Sequence, residues 1–357
     1  MKRCTKCILP ETFPDIEFDE EGVCNYCHIY KKVEVKGLEE FKSEIAKFTN
    51  SGRQYDCMVT ISGGRESSYV LYRLVKVHKL RVLAFTFKCG LQTELGERNA
   101  KRMCKILGVD HIIYPYKIDK NLRMIKRNFM VWLKKPSVAM IPIFMLADKT
   151  MEYHMRKAAK KNGISLIIDG RSRMEVTLFK SGFLGVPAIG HGDDIKLLSK
   201  LRLLIKYIKE YLKNPGYFVT FDPIENLFGF FNYFYGDVFC KDISLLSYFD
   251  YFEWDEKEIV STNIKELAWE LPTDTVSNWR NDDLMSPLYN YLYYKMVGFT
   301  ENDALRSNMI RADLMSRKEA LKIVEKENKP RLEALNKISK DVLKLQHEFA
   351  LYEINYK

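Results

Sequence analysis

A short segment at residues 56–71 combines an apolar run, a Ser-Gly-Gly turn and a helix start rich in serine. The β-branched run that ends at Ile61 predicts a strand, and apolar residues three or four apart from Tyr69 onward predict a helix. Gly63 and Gly64 let the backbone approach an anion closely, and the free N–H groups and positive dipole end of the helix attract it. The segment predicts a phosphate-binding loop; the alternative is an ordinary strand-to-helix turn.

Polar side chains in the same turn add donors for an anion. Ser62, Ser67 and Ser68 offer hydroxyl groups, and Arg65 offers a guanidinium fork. We therefore expect all of residues 62–68 to contact the phosphates. A Cβ on either glycine of the turn would occupy space that phosphate oxygens need, so we expect neither to tolerate a larger residue.

Residues 62–67, Ser-Gly-Gly-Arg-Glu-Ser, resemble the SGGxDS motif of the PP-loop ATP pyrophosphatases. Members of that family hold the triphosphate of ATP in this loop with Mg²⁺, adenylate an oxygen of the acceptor and release pyrophosphate. The resemblance implies that this loop binds ATP and that Ser62, Glu66 and Ser67 take part in catalysis. Glu66 replaces the family's usual aspartate. Arg65 occupies the variable position of the motif, so the alternative to a phosphate contact is a side chain outside the cradle. We expect Arg65→Ala to matter less than Gly64→Ala.

Four of the eight cysteines lie in the first 27 residues, as two Cys-x-x-Cys pairs separated by sixteen residues. Two such pairs can supply four thiolates, from Cys4, Cys7, Cys24 and Cys27, to a tetrahedral Zn²⁺. An iron–sulfur cluster and free thiols are the alternatives. Because four protein ligands leave no open position, we expect the metal to be structural rather than catalytic.

The N-terminal segment carries a second, more specific resemblance. Residues 4–12 and 16–27 resemble the opening of the N-acetyl-sugar amidotransferases of O-antigen and pseudaminic-acid type glycan pathways. The resemblance implies that ATP adenylates the N-acetyl carbonyl of a nucleotide-linked sugar and that ammonia displaces AMP, leaving an acetamidino sugar. It also implies a separate glutaminase with an ammonia channel as partner. Weaker similarity extends to residues 251–255 and 308–311.

Strands and helices alternate through the middle of the chain. The predicted strands are residues 56–61, 81–87, 109–114, 164–169 and 243–248, with helices at 92–107, 122–133 and 141–161 among them. This alternation predicts an α/β fold with a parallel sheet covered by helices on both faces.

Ligands in such folds bind beyond the carboxyl ends of the strands, which brings residues 62–68, the end of the second strand and Gly170 to one crevice. By resemblance, the backbone of Phe85, Thr86 and Phe87 accepts the adenine edge, and Gly170 lies beneath the nucleotide. The alternative for the Phe85 and Phe87 side chains is core packing.

We expect three regions: a zinc knuckle module at residues 1–37, a PP-loop domain at 38–260 with an insertion at about 182–240, and a helical region at 261–357. Three segments have two interpretations each. Residues 182–194 are a lid or a surface connection, residues 227–235 an acceptor pocket or core, and residues 279–283 a substrate contact or a polar turn. A helical stretch is predicted at 332–352.

Composition supports a soluble, cytoplasmic protein. The 357 residues are 46% hydrophobic and 29% charged, and neither a signal peptide nor an apolar run long enough to span a membrane is visible. The net charge of +10 suits polyanionic ligands in general. We expect no membrane partner, disfavour nucleic acid, and consider a homodimer compatible with the sequence.

Two other functions fit the same motifs. A tRNA-modifying PP-loop enzyme, either a thiolase or an amidating enzyme, agrees with the basic charge, but the core offers no cysteine pair for sulfur transfer. A catalytically inactive nucleotide-binding protein agrees with Glu66 in place of aspartate.

Overall fold

The computed structural model describes residues 1–49, 52–186, 197–220, 240 and 242–345. The predicted segment at residues 227–235 lies outside the described residues, as do most of the loop at 182–194 and the end of the helical stretch at 332–352.

A five-stranded sheet in which all neighbouring strands are parallel forms the centre of the protein, in the order β3-β2-β1-β4-β5. The strands are β1 Cys57–Thr60, β2 Val82–Lys88, β3 Asp110–Pro115, β4 Leu166–Asp169 and β5 Ser244–Ser247. Strands β1, β2 and β4 are almost wholly buried, as expected for a parallel sheet covered on both faces. The structure confirms the predicted α/β fold with helices around a parallel sheet.

Helices connect the strands and form the C-terminal part of the chain. The α-helices are α1 Asn25–His28, α2 Leu38–Ala46, α3 Arg65–Tyr72, α4 Glu94–Leu107, α5 Ile118–Lys134, α6 Met151–Lys161, α7 Phe179–Gly182, α8 Leu197–Lys213, α9 Gly216–Thr220, α10 Glu256–Leu267, α11 Ser286–Val297, α12 Glu301–Arg311, α13 Arg317–Glu327 and α14 Leu332–Lys337. A 3₁₀ helix of 13 residues spans Val138–Thr150, and two short ones span Arg173–Glu175 and Tyr248–Asp250. Turns of π-helix follow α3 and α14 at Arg73–Val77 and Ile338–Leu343.

Two predicted helices differ from the structure. The helix predicted at 141–161 is α-helical only from Met151; before it the chain forms a 3₁₀ helix that contains Pro142, whose missing N–H cannot make an α-helical bond. The α-helix predicted from Leu332 gives way to a π turn at Ile338, and the backbone then becomes left-handed at Lys344.

The N-terminal segment packs on the C-terminal helices rather than standing apart. Phe13 contacts Phe299 and Phe179, with ring centroids 5.4 and 5.8 Å apart. Ile8 is fully buried against the inner face of α13. Arg3 forms a 2.6 Å ion pair with the buried carboxylate of Asp303 on α12. The two ends of the chain therefore share one core.

Candidate functional site

The loop between β1 and α3 lies at the carboxyl edge of the sheet. The chain continues from β1 to β2 and β3 on one side of β1, and then crosses to β4 and β5 on the other side. The topological switch point of the sheet therefore lies between β1 and β4. Ligands of open α/β sheets bind outside the strand ends at this point. The first N–H groups of α3, which have no acceptor within the helix, begin immediately after Gly64.

Two hydroxyl groups flank this helix start. The Oγ atoms of Ser62 and Ser67 are 3.2 Å apart, both residues are half-buried, and Ser62 Oγ accepts a 3.3 Å hydrogen bond from the Gly64 N–H. Ser68 differs: its hydroxyl is fully buried and donates to the Gly64 carbonyl at 2.6 Å. Of the three serines, only Ser62 and Ser67 present their side chains to the crevice, and the predicted role of Ser68 depends on its backbone.

Protein atoms lie close to both glycines of the loop. Gly63 has φ +83°, and a Cβ there would lie 1.9 Å from the carbonyl oxygen of Gly96. A Cβ on Gly64 would lie 2.9 Å from the Asp282 carboxylate. Protein atoms therefore restrict larger residues at Gly63 and Gly64 before any ligand binds, and the predicted conflict with phosphate oxygens stays a prediction.

We expect Gly63→Ala to destabilise the protein by about 3 kcal/mol or more, because the loop must move away from the Gly96 carbonyl. Gly163→Ala is the matched control, since Gly163 has φ +67° but no atom within 4 Å of its Cβ position. That change should cost only the left-handed backbone strain, about 1 kcal/mol. Urea unfolding of the two variants measures the difference, and equal losses would contradict the tight contact.

Arg65 lies at the centre of a buried ionic cluster. Its guanidinium is fully buried and donates to Glu66 at 2.5 Å, Glu256 at 2.5 Å and Glu175 at 3.1 Å, and also to Asn278. Because carboxylates surround this guanidinium, the structure agrees with the interpretation in which the Arg65 side chain lies outside the phosphate cradle. Any role of Arg65 in binding an anion depends on its backbone N–H.

The same cluster perturbs two carboxyl groups. Burial raises the pKa of Glu175 well above its usual value, and the nearby Glu66 raises it further. Burial also raises the pKa of Asp282, while a hydrogen bond with Ser62 opposes the shift. The loop is therefore surrounded by carboxyl groups, two of which have raised pKa values.

Further charges lie next to the loop, in a second cluster around the buried carboxylate of Glu301. It forms ion pairs with Lys180 and, at 3.6 Å, with Arg280. Burial lowers the pKa of Lys180 despite this partner. Arg280 has φ +51° and belongs to the polar segment 279–283, as does Asp282, which reaches the loop. The structure thus brings part of this segment to the site.

The residues predicted at the adenine edge lie in β2. Phe85, Thr86 and Phe87 are all buried, and the carbonyl of Phe87 accepts a 2.8 Å hydrogen bond from the Gln92 side chain. The Thr86 hydroxyl donates to the Ile61 carbonyl at 2.8 Å. The phenyl rings are core residues, and the backbone contact with adenine stays a prediction.

Gly170 follows β4 and lies under the start of α3. A Cβ there would come within 3.1–3.2 Å of the backbone of Glu66 and Ser67. Glycine therefore allows the end of β4 to approach the start of α3 closely, and the predicted position of Gly170 beneath a nucleotide stays a prediction.

The four N-terminal cysteines converge on one point. All four are buried, and their Sγ atoms lie within 4.8 Å of one another. Neighbouring sulfurs are 3.9 Å apart for Cys4 and Cys27, 3.7 Å for Cys7 and Cys24, and 3.6 Å for Cys24 and Cys27. A tetrahedron with metal–sulfur bonds of about 2.3 Å has edges of about 3.8 Å. The arrangement fits a single tetrahedral metal ion.

Helix α12 connects this cysteine cluster to the loop. On one side, Arg311 donates to Cys7 Sγ at 3.6 Å, and the Ile8 N–H donates to the Ser307 hydroxyl at 3.4 Å. On the other, the buried Arg306 donates at 2.6 Å to Glu256, which also accepts from Arg65. The helix therefore fixes the two sites relative to each other.

A cavity of about 280 Å³ lies between the cysteine module, α12 and the segment that follows β4. Its walls include the aromatic side chains of Tyr26, Tyr30 and Phe179, with Arg173 and Arg311 at the polar positions. Met174 and Val176 also line it, whereas the residue between them, Glu175, contacts Arg65. The cavity and the loop therefore share this segment as a wall.

Sequence patterns alone did not identify several residues that hold the loop. Trp269 donates to the Gly63 carbonyl at 2.8 Å, Asn263 donates to the Arg65 carbonyl at 2.8 Å, and Trp254 donates to Glu66 at 3.2 Å. Glu175 and Glu256, from distant parts of the chain, accept hydrogen bonds from the Arg65 guanidinium. Of these five residues, only Trp254 lies in a stretch that the sequence similarity identified, residues 251–255.

The fold and these sites define an α/β protein with a Ser-Gly-Gly loop at the switch point and a four-cysteine cluster suited to a metal ion. No protein-family model and no curated protein matches the sequence.

Two solved structures are similar to this chain over most of their own length. One is the U34-tRNA thiolase NcsA from Methanococcus maripaludis with its [4Fe-4S] cluster, at TM-score 0.38 and 13% identity over 91% of this chain and 89% of that chain. The other is the NH₃-dependent NAD synthetase from Campylobacter jejuni, at TM-score 0.28 and 19% identity over 54% of this chain and 89% of that chain. Both TM-scores are too low to define the function of this chain.

Proposed function

We propose that the protein is a PP-loop ATP pyrophosphatase that adenylates an acceptor for attack by ammonia. The observation that carries the proposal is the position of the Ser-Gly-Gly-Arg-Glu-Ser loop at the switch point of a parallel sheet, where N–H groups and two hydroxyls face the crevice. The acceptor proposed from the N-terminal resemblance is the N-acetyl group of a nucleotide-linked sugar in surface glycan biosynthesis, such as that of lipopolysaccharide. The proposed location is the cytoplasm.

Each part of the loop has a role in this proposal. The N–H groups at the start of α3 bind phosphate oxygens, and Ser62 and Ser67 add hydroxyl donors. Trp269 and Asn263 hold the loop carbonyls, so the donors are oriented before the substrate arrives. Catalysis then depends on positioning and on electrostatic stabilisation of the departing pyrophosphate.

Mg²⁺ fits this site as a companion of ATP. Among the described residues only the four cysteines form a group spaced for a metal ion, so the carboxylates near the loop are not preassembled around one. Proteins commonly bind Mg²⁺ through one or two carboxylates together with substrate phosphates. Glu66 is the proposed ligand from the loop, and the ion would neutralise phosphate charge.

The acceptor would enter from the side of the cysteine module. The cavity beside this module shares a wall with the ionic cluster around Arg65, and it offers aromatic faces beside Arg173 and Arg311. Aromatic and cationic side chains together suit a nucleoside phosphate. We also propose a glutaminase partner that delivers ammonia, a homodimer, and a division of the chain into three parts after residues 37 and 260.

The test is release of AMP and pyrophosphate from ATP by the purified full-length protein. We expect release that requires both a nucleotide-linked N-acetyl sugar and ammonia. Release stimulated by tRNA and by no sugar nucleotide would favour a tRNA-modifying enzyme. Absence of release with every acceptor, while ATP still binds, would favour an inactive nucleotide-binding protein.

We expect Ser62→Ala and Ser67→Ala each to lower kcat/KM for ATP by about 10- to 100-fold, because each removes a hydrogen bond to a charged oxygen, about 1.5–3 kcal/mol. Ser68→Ala is the control from the same turn. Its hydroxyl bonds to the Gly64 carbonyl, so the change should lower thermal stability and leave the KM for ATP unchanged. If Ser62→Ala and Ser67→Ala leave kcat/KM for ATP unchanged while Ser68→Ala raises the KM, ATP does not bind at these two hydroxyls.

We propose Zn²⁺ as the metal of the cysteine cluster. The short separations between the sulfurs suit one ion, whereas an iron–sulfur cluster needs room for several iron and sulfide atoms among its thiolates. The ion would hold the module folded against α12 and take no part in the reaction.

A further inference from the structure

The net charge of the protein is concentrated in two segments. Residues 117–135, which contain α5, and residues 197–213, which form α8, together hold twelve Lys and Arg against two Asp and Glu. The whole chain has 57 and 47, so the remainder is balanced at 45 of each, and these segments account for the full net charge of +10. The segments meet where Lys135 donates to the Lys213 carbonyl at 3.2 Å.

Helix α8 divides lengthwise into three strips. Successive residues are about 100° apart around a helix. The inward strip contains the half-buried residues Leu203, Tyr207 and Tyr211, and the Tyr211 ring packs on Tyr217 of α9 at 5.7 Å. The other two strips face outward, and they differ in chemistry.

One outward strip is basic and the other is apolar. The basic strip consists of the exposed residues Arg202, Lys206, Lys209 and Lys213, with Lys213 also paired to Glu210. Beside it lie Ile205, Ile208 and Leu212, which are 53%, 45% and 64% exposed. Phe218 on α9 continues the apolar strip and is 48% exposed. Large aliphatic side chains with this much exposure, aligned along one strip of a helix, mark an interaction surface.

We propose that α8 binds the surface of a membrane that contains anionic lipids. Interfacial helices insert an apolar strip at the boundary between headgroups and acyl chains, while neighbouring Lys and Arg contact anionic headgroups. No helix among the described residues is long and apolar enough to cross a membrane, and an interfacial helix needs no such span. The absence of a spanning segment in the sequence therefore leaves this kind of contact open.

The two strips together select this partner over the other candidates. RNA would use the basic strip, but phosphate contacts give no role to three aligned aliphatic residues. A second copy of the chain would bring two strongly basic helices together, which their like charges oppose. An anionic bilayer complements both strips at once.

The test is co-sedimentation of the full-length protein with vesicles of phosphatidylcholine alone or with about 30% phosphatidylglycerol. We expect binding to the anionic vesicles, weakened at high salt, and little binding to the neutral ones. Lys206→Gln with Lys209→Gln should lower the partition coefficient roughly 30-fold. Ile205→Gln with Leu212→Gln should lower it about tenfold or more on the same vesicles.

The control is Lys322→Gln with Lys326→Gln, two exposed lysines one turn apart on α13, which should leave the partition coefficient unchanged. Thermal unfolding of every variant shows whether the fold is intact. No binding to anionic vesicles, or unchanged binding of the apolar double variant, would overturn the proposal. Binding to tRNA that is lost in the lysine variant but kept in the apolar variant would assign the surface to nucleic acid instead.

Discussion

Replacing Cys24 by alanine is expected to unfold the N-terminal module and to lower the stability of the whole protein by several kcal/mol. Structural Zn²⁺ contributes about 10 kcal/mol or more to the apparent folding free energy of small modules. Here the module shares its core with the C-terminal helices through Phe13, Ile8 and Arg3. Loss of the metal should therefore be felt beyond residue 37, and thermal unfolding with metal analysis measures both effects.

The matched control is Cys104→Ala, which removes a buried thiol in α4 far along the chain from the metal ligands. We expect it to cost about 1 kcal/mol and to leave the metal content unchanged. A strong chelator should reproduce the effect of Cys24→Ala on the unmodified protein. Iron in place of zinc, or less than half an equivalent of any metal in fresh protein, would contradict the proposed Zn²⁺ site.

Replacing Arg65 by methionine is expected to destabilise the protein by about 3–5 kcal/mol. The change removes a buried cation that contacts Glu66, Glu175 and Glu256. Glu256 keeps its ion pair with Arg306, whereas Glu66 and Glu175 lose the guanidinium that they contact in the cluster. The expectation from the motif, that Arg65→Ala matters less than Gly64→Ala, concerns nucleotide binding and stays a prediction. Urea unfolding at neutral pH measures the loss.

Arg98→Met provides the control for that loss. Its guanidinium is 54% exposed and pairs with Glu270, which is 40% exposed and also pairs with Arg102, so loss of this one pair should change stability little. If Arg65→Met unfolds at the same urea concentration as Arg98→Met, the ionic cluster does not stabilise the loop.

The variant Glu175→Gln tests the cluster from the other side, because burial and Glu66 raise the pKa of Glu175 and already favour its neutral form.

The sign of that second test follows from the direction of the pKa shift. A carboxyl group whose pKa is raised in the folded state contributes stability below its unfolded pKa, and this contribution is lost as the pH rises through the folded value. Glutamine cannot ionise, so Glu175→Gln should flatten the fall in stability above about pH 4.3, the ordinary pKa of glutamate.

Local patterns in the sequence determined the α/β class, the strands near 57–60 and 82–88, and the convergence of four cysteines. These features depend on short-range spacing: a buried parallel strand is an apolar run, and two Cys-x-x-Cys pairs reach one ion from two turns. The sequence also identified the Ser-Gly-Gly loop and Gly170 as neighbours, because parallel strands end at one edge of the sheet.

Only the tertiary structure decided what the loop residues contact. The glycines are confined by Gly96 and Asp282, and Arg65 is held by Glu175 and Glu256, all distant in sequence from the loop. No spacing rule connects such residues, because long-range neighbours depend on how the C-terminal helices pack over the sheet. The exposure of Ile205 and its neighbours on α8 was decided in the same way, since one amphipathic pattern fits a helix that is covered on its apolar side or left open.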